Sequence, residues 1–191
     1  MRLGRDCFDF ASTIPLNPLE GMILAEHTVY HTYWRADLRP LGKRQISLLQ
    51  SILATQDRES TSVILWTNAE TTAHILASPL IVPLATLYGN RFQVRSVDKA
   101  ELAKGTPMEG HEYLDLADGR AWLDGDLVRL LVLWRNGGIW VDMDTILTGR
   151  DMRVLGEKEW ITQWDCYGQS FVLTPLAKTN ESREQAKSIN R

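Results

Sequence analysis

The 191-residue sequence predicts an α/β fold in which a mostly parallel central sheet is flanked by helices. Three observations lead there. Thr28 to Trp34, Lys43 to Gln56 and Ser62 to Thr67 read in turn as strand, amphipathic helix and strand, which is the length and order of a βαβ unit. Ser62-Val63-Ile64-Leu65-Trp66-Thr67 is apolar without alternation, as strands covered on both faces of a parallel sheet are. Asp124 to Asp144 then sets an apolar helix, a Gly-Gly stop, a short β-run and two carboxylates in immediate succession.

Residues 1–27 carry no clear periodicity, and Pro15 and Pro18 make them an irregular N-terminal segment. The β-formers of Thr28 to Trp34 give the first strand, which Arg39-Pro40-Leu41-Gly42 breaks. Ile46, Leu49, Ile52 and Leu53 recur at helical spacing and give the next helix one apolar face. The second strand ends on Asn68. Thr71 to Ser78 reads as a short helix, whereas Pro79 to Leu87 gives no clear signal. Phe92 to Val97 is a third strand, followed by a helical turn over Asp98 to Lys104. Gly105 to Gly119 reads as a loop of the length that is usually functional or mobile.

Asp124 and Asp126 stand where helix N-terminal signals belong, beside the partial positive charge of a helix running from about Leu127 to Arg135. Asn136-Gly137-Gly138 ends that helix. Ile139-Trp140-Val141 is a short buried strand. Side chains alternate along an extended segment, so Asp142 and Asp144 share one side and Met143 faces the other. Trp160 to Trp164 is a further strand candidate. One domain over residues 28–177 is expected, with a polar tail at 178–191 that lacks an apolar face and is expected to be exposed or disordered.

Composition removes several function classes. Hydrophobic residues make up 44% and charged residues 24%, ordinary for a soluble globular chain. A net charge of −3 and a pI near 5.8 argue against nucleic acid as the main partner. The N-terminus lacks the apolar run of a signal peptide, and no stretch approaches the ~20 apolar residues of a membrane span. Leu80 to Leu87 is too short and is broken by Pro83. Cys7 and Cys166 define no metal spacing or redox motif and leave open either one disulfide or two thiols. His27, His31, His74 and His111 show no ligand spacing, so structural or surface roles are expected for them. Asn180-Glu181-Ser182 is a glycosylation sequon that matters only in a secretory lumen. Seven Trp residues are many for this length, and Trp34, Trp66 and Trp140 fall near strand ends, where α/β folds bind ligands.

Two acidic pairs compete for a functional role. Asp124-Gly125-Asp126 reads equally well as helix capping, and Asp124 in particular as a cap. Asp142 and Asp144 differ in context, because two same-facing acids after a buried strand repel each other unless a cation sits between them. A divalent metal holding a diphosphate fits that need.

The run Gly125-Asp126-Leu127-Val128-Arg129, with Asn136-Gly137-Gly138-Ile139-Trp140-Val141-Asp142-Met143-Asp144 after it, resembles the DXD-containing sugar transferases of glycosyltransferase family 32. These include fungal Golgi mannosyltransferases and relatives of the α-1,4-galactosyltransferases, and there is a more distant similarity to the glucosyltransferase domains of large clostridial toxins. Val29 to Arg35 and Leu65-Trp66-Thr67-Asn68 look like that family's first two nucleotide-binding strands. The resemblance implies a GT-A type, Rossmann-like nucleotide-sugar-binding fold. It also implies a UDP- or GDP-hexose donor, a glycan or glycolipid acceptor, a divalent metal (usually Mn²⁺) and retention of anomeric configuration. Position by position, it implies that Asp144 coordinates the metal and that Asp142 touches the donor and the metal shell. Asp126 and Arg129 would contact the donor sugar, Trp140 would line its pocket, Trp34 would stack on the base and Asn68 would touch the nucleotide. A Golgi lumen is implied in the same way, although the chain itself shows no anchor and a cytoplasmic address stays open.

Two departures stand out. Gly125 replaces the Ser that the family usually carries before the helix Asp. The similarity also fades after about Tyr167, so a C-terminally truncated member is expected. A catalytically inactive relative that keeps only the fold or nucleotide binding is therefore the alternative to an active transferase. A haloacid-dehalogenase-type phosphatase also places Asp-x-Asp after a strand. It needs that pair near the domain start, with partners downstream, and Asp142 comes late.

Overall fold

The computed structural model describes residues 25–116, 118–149 and 151–155. Its four strands are β1 (Thr28–Trp34), β2 (Thr61–Asn68), β3 (Phe92–Val97) and β4 (Ile139–Trp140). All pairings are parallel, in the order β3-β2-β1-β4. The helices are α1 (Lys43–Thr55), α2 (Thr72–Leu76), α3 (Val82–Tyr88), α4 (Lys99–Ala103) and α5 (Trp122–Asn136). None of the described helices is long and apolar enough to cross a membrane.

Alternation along the strands builds two cores. Tyr30, Val63, Leu65, Phe92 and Ile139 face α1, whose Leu49 and Ile52 are fully buried against them. Ile64, Trp66 and Trp140 face the other way, under Val128, Leu131 and Val132 of α5. Each such aliphatic side chain contributes roughly 1.5–3 kcal/mol on burial, so the sheet is held rigid from both faces. That double cover is why Ser62 to Thr67 carries no polar alternation.

Most elements stand where the sequence puts them, and β1 has the expected bounds. The unassigned stretch after Pro79 becomes α3, because Pro83 falls in its first turn, where a missing N–H breaks no helical bond. Helix α5 begins at Trp122, five residues before the expected Leu127. Its first turn is hidden from a periodicity argument because Trp122 and Leu123 are 71% and 67% exposed. Asp124 does not cap it. The Asp118 carboxylate does so instead, accepting from the Arg120 N–H at 2.8 Å and the Leu123 N–H at 2.7 Å. The segment Trp160 to Trp164, both cysteines, the sequon and the 178–191 tail lie outside the described residues.

The Gly-Gly stop has a steric cause. Gly137 and Gly138 both take positive φ, 67° and 86°. A Cβ on Gly138 would lie 2.4 Å from the Val29 carbonyl oxygen and 3.0 Å from His31 Nε2. Only glycine lets the chain pass this close to β1 and enter β4 in register, with Tyr30 opposite Ile139 and His31 opposite Trp140. The Val141 N–H then donates to the His31 carbonyl at 2.9 Å, which carries the alignment to the residue before Asp142.

Candidate functional site

The strand order reverses between β1 and β4, since β2 and β3 add to one side of β1 and β4 joins on the other. In parallel α/β sheets such a reversal opens a crevice beyond the strands' carboxyl ends, because the connections on either side leave in different directions. A cavity of about 1050 Å³ lies there, lined by Trp34 and Arg35 after β1, by Trp140, Asp142 and Asp144 of the β4 end, and by Asp126 and Arg129 of α5.

Side chains tie the strand end to the helix. Asp142 Oδ1 accepts from Arg129 Nη2 at 2.9 Å and from the Trp140 indole N–H at 2.9 Å. The Arg129 guanidinium also lies over the Trp140 ring, 5.6 Å from its centroid, and 3.5 Å from Asp126 one helical turn back. Asp126 and Arg129 face the same way because they are three residues apart on α5. Asp142 and Asp144 line the cleft, and Met143 between them is buried in the core under α1 while also bordering the cleft. Strand β4 ends at Trp140, so a turn closed by the Thr145 N–H on the Asp142 carbonyl at 3.0 Å, and not the expected strand alternation, sets their directions. Asp144 is exposed and has no ion pair among the described residues. Gly125 lines the same wall, and a Cβ added there would meet nothing within 4 Å, so the space where a serine would stand is open.

Trp34 also belongs to the cleft. Its indole N–H donates to the Arg39 carbonyl at 2.8 Å, which fixes the ring against the wall. Asn68 does not reach the cleft. It ends β2, one strand away from the reversal, where its Oδ1 accepts from the Thr71 hydroxyl at 2.6 Å. Its Nδ2 is buried without a partner among the described residues. Trp66 is core, donating through its indole N–H to His31 Nδ1 at 3.1 Å. That bond places the proton of neutral His31 on Nε2, and burial, with Arg95 adding to it against the opposing Gly137 backbone, pushes the imidazole down to about 4.

Sequence reasoning missed the cluster around Asp124. Its carboxylate, 5% exposed, accepts from the Tyr33 hydroxyl at 2.5 Å, Arg35 Nη1 at 3.1 Å and Lys99 Nζ at 3.1 Å. Burial works to raise the Asp124 carboxyl, but the bonds from Tyr33, Lys99 and Arg35 outweigh it and hold it below the ordinary carboxylate value. Burial and the same carboxylate push the Tyr33 phenol up. Asp124 and Asp126 are two apart on one helix and so face different ways, one inward and one to the cleft. The available signal was the helix start: once α5 begins at Trp122, an Asp two residues before a cleft Asp must point elsewhere.

The donor set suits a divalent cation of the hard type. Asp142 Oδ2 and both Asp144 oxygens have no hydrogen-bond or ion-pair partner among the described residues and lie on one wall. No group of three or more His, Cys, Asp or Glu forms a metal cage among the described residues. Two carboxylates with ligand phosphate and water completing the shell is a usual arrangement for such ions.

Residues 42–163 match the pattern of a family described as glycosyltransferase sugar-binding region containing DXD motif. The match covers well over half the chain and includes α1, the sheet from β2 to β4 and the acidic strand end. No curated protein matches the chain. The parallel sheet with helices on both faces is that of a GT-A type, Rossmann-like fold.

Proposed function

Because the chain belongs to the DXD-containing glycosyltransferase family, we propose that it is a metal-dependent, retaining hexosyltransferase of the family 32 kind. It moves a hexose from a UDP- or GDP-sugar to a glycan or glycolipid acceptor. The observation that carries this reading is the pair Asp142 and Asp144 at the carboxyl end of β4, on the wall of a cavity at the strand-order reversal. Breaking a glycosyl–phosphate bond leaves extra negative charge on the diphosphate and positive charge on the sugar. A divalent cation, Mn²⁺ in this reading, supplies positive charge to the departing diphosphate when bound.

The chain's own residues do the rest. Asp144 holds the cation, and Asp142 offers it the oxygen that Arg129 and Trp140 leave free. Those two donors fix the Asp142 rotamer before the donor arrives, which lowers the cost of ordering the site. Asp126 and Arg129 take the donor sugar, with Asp126 close enough to favour the cationic sugar. Trp140 walls the sugar pocket and Trp34 stacks on the base. The Golgi-lumen address rests on family resemblance alone.

Thermal melting with Mn²⁺ and UDP or GDP tests the reading. The melting temperature rises with one nucleotide, Asp144→Ala abolishes the rise, and a nucleotide-sugar is hydrolysed slowly in the absence of acceptor. No rise with either nucleotide sinks it, and a rise without hydrolysis or transfer from any donor reduces the chain to a binding relative.

A further inference from the structure

Four arginines line the cleft, and two of them are already matched by carboxylates. Arg35 is held by Asp37 and, at 3.1 Å, by Asp124. Arg129 is held by Asp142 at 2.9 Å and Asp126 at 3.5 Å. Arg39 and Arg120 have no carboxylate partner among the described residues, and both are exposed. The backbone of the first and the guanidinium of the second are held near an indole of the same cleft. The Arg39 backbone carbonyl accepts from Trp34, and the Arg120 guanidinium lies 5.6 Å from the centroid of the Trp122 ring, itself on the cleft wall. The loop after β1 and the turn before α5 thus bring two arginines without a described carboxylate partner to the wall of one cavity.

We infer that Arg39 and Arg120 form the cationic clamp for the diphosphate of the nucleotide donor. This rests on the reading of the cleft as a nucleotide-sugar site, and it assigns a role to two residues outside the acidic stretch. A nucleoside diphosphate sugar brings two negative charges, and its departing nucleoside diphosphate gains another. Guanidinium groups bind phosphate oxygens through paired N–H donors, so they fix orientation as well as charge. Arg35 and Arg129 are committed to neighbouring carboxylates and cannot offer the diphosphate a full charge without first breaking an ion pair. Arg39 and Arg120 can, and because they are exposed, they gain from ligand binding what folding does not give them.

Isothermal titration of the whole chain with uridine, guanosine, UDP, GDP and glycerol phosphate, each with Mn²⁺, tests the assignment. Arg39→Gln and Arg120→Gln each weaken the nucleoside diphosphate that wild type binds by about tenfold, and the double variant weakens it further. The matching nucleoside binds all variants equally, and the melting temperatures of the unliganded proteins stay together. Unchanged nucleoside diphosphate affinity in both single variants overturns the assignment. So does an equal loss for nucleoside and diphosphate, which makes the residues part of the base wall, or a loss confined to glycerol phosphate, which places them on an acceptor phosphate. A wild-type protein that binds neither UDP nor GDP overturns the functional reading itself and the clamp with it.

Discussion

Asp124 and Asp144 lie at the two ends of one stretch, and the fold treats their charges in opposite ways. Asp124 is enclosed by Tyr33, Arg35 and Lys99 and is 5% exposed. Asp144 stands in the cleft with no cationic partner among the described residues. Charge satisfied inside the protein stabilises the fold and has little left to offer a ligand. Charge left open adds little to stability and is available for binding. The same division separates Arg35, paired with Asp37 and Asp124, from Arg39, which has no carboxylate partner among the described residues although it is four residues away in sequence.

Substitution separates the two regions. Asp124→Ala leaves Arg35 and Lys99 partly buried beside a lost partner and costs about 3 kcal/mol in urea unfolding. This is the low end for a broken pair, because both cations keep about a fifth of their exposure. Asp144→Ala changes unfolding by less than about 0.5 kcal/mol while removing the Mn²⁺–nucleotide shift. Similar stability losses in the two variants would erase the distinction.

Acid sharpens it further. His31 is neutral in the fold and down at about 4, whereas the unfolded chain binds its proton near 6.5. Its contribution is present above that unfolded value and is lost as pH falls from about 6.5 to about 4, amounting to about 2–3 kcal/mol. Asp124 acts at lower pH. Its carboxyl lies below the ordinary value, so its contribution is present above that value and disappears as pH falls through the folded one. Denaturant titrations between pH 7 and 4 show a downward slope in wild type that His31→Asn flattens. A slope that survives the substitution assigns it elsewhere.

Smaller effects lie at the border between the regions. Trp140→Phe keeps the ring under Arg129 and removes one donor to Asp142, costing about 1 kcal/mol and weakening nucleotide binding. Equal nucleotide affinity in the variant would show that Arg129 alone orients Asp142. Ala121 is the one described non-glycine residue with positive φ, at 59°. Ala121→Gly relieves that strain and raises stability by roughly 0.5–1 kcal/mol, since a left-handed alanine costs more than the added freedom of glycine. A lower melting temperature would count against strain at the start of α5.

Strands and helices with a buried face were legible, because alternation and helical spacing record burial directly. The place of the acidic pair was legible too, since Gly137 and Gly138 fix where β4 begins. Its orientation was not, because β4 ends at Trp140 and a turn from Asp142 to Thr145 stands where alternation was expected. Residues whose role depends on tertiary neighbours were not. Nothing local to Asp124 announces Tyr33 and Lys99, which come from β1 and α4. Asn68 was drawn toward the site by its strand-end position, yet only strand order, a long-range property, says which strand ends border the crevice.

Strand β4 is joined to β1 through just two paired residues and the Val141 bond, at the edge of the described sheet. Both neighbours of the crevice therefore meet late in the sequence, after β1 and β2 have had every chance to pair. In folding terms, the cleft is completed by the latest and shortest of the described strands, while the scaffold beneath it depends on shorter-range contacts. The ladder there is short, so the packing of Ile139, Val141 and Met143 in the core holds the site in place where backbone pairing does not.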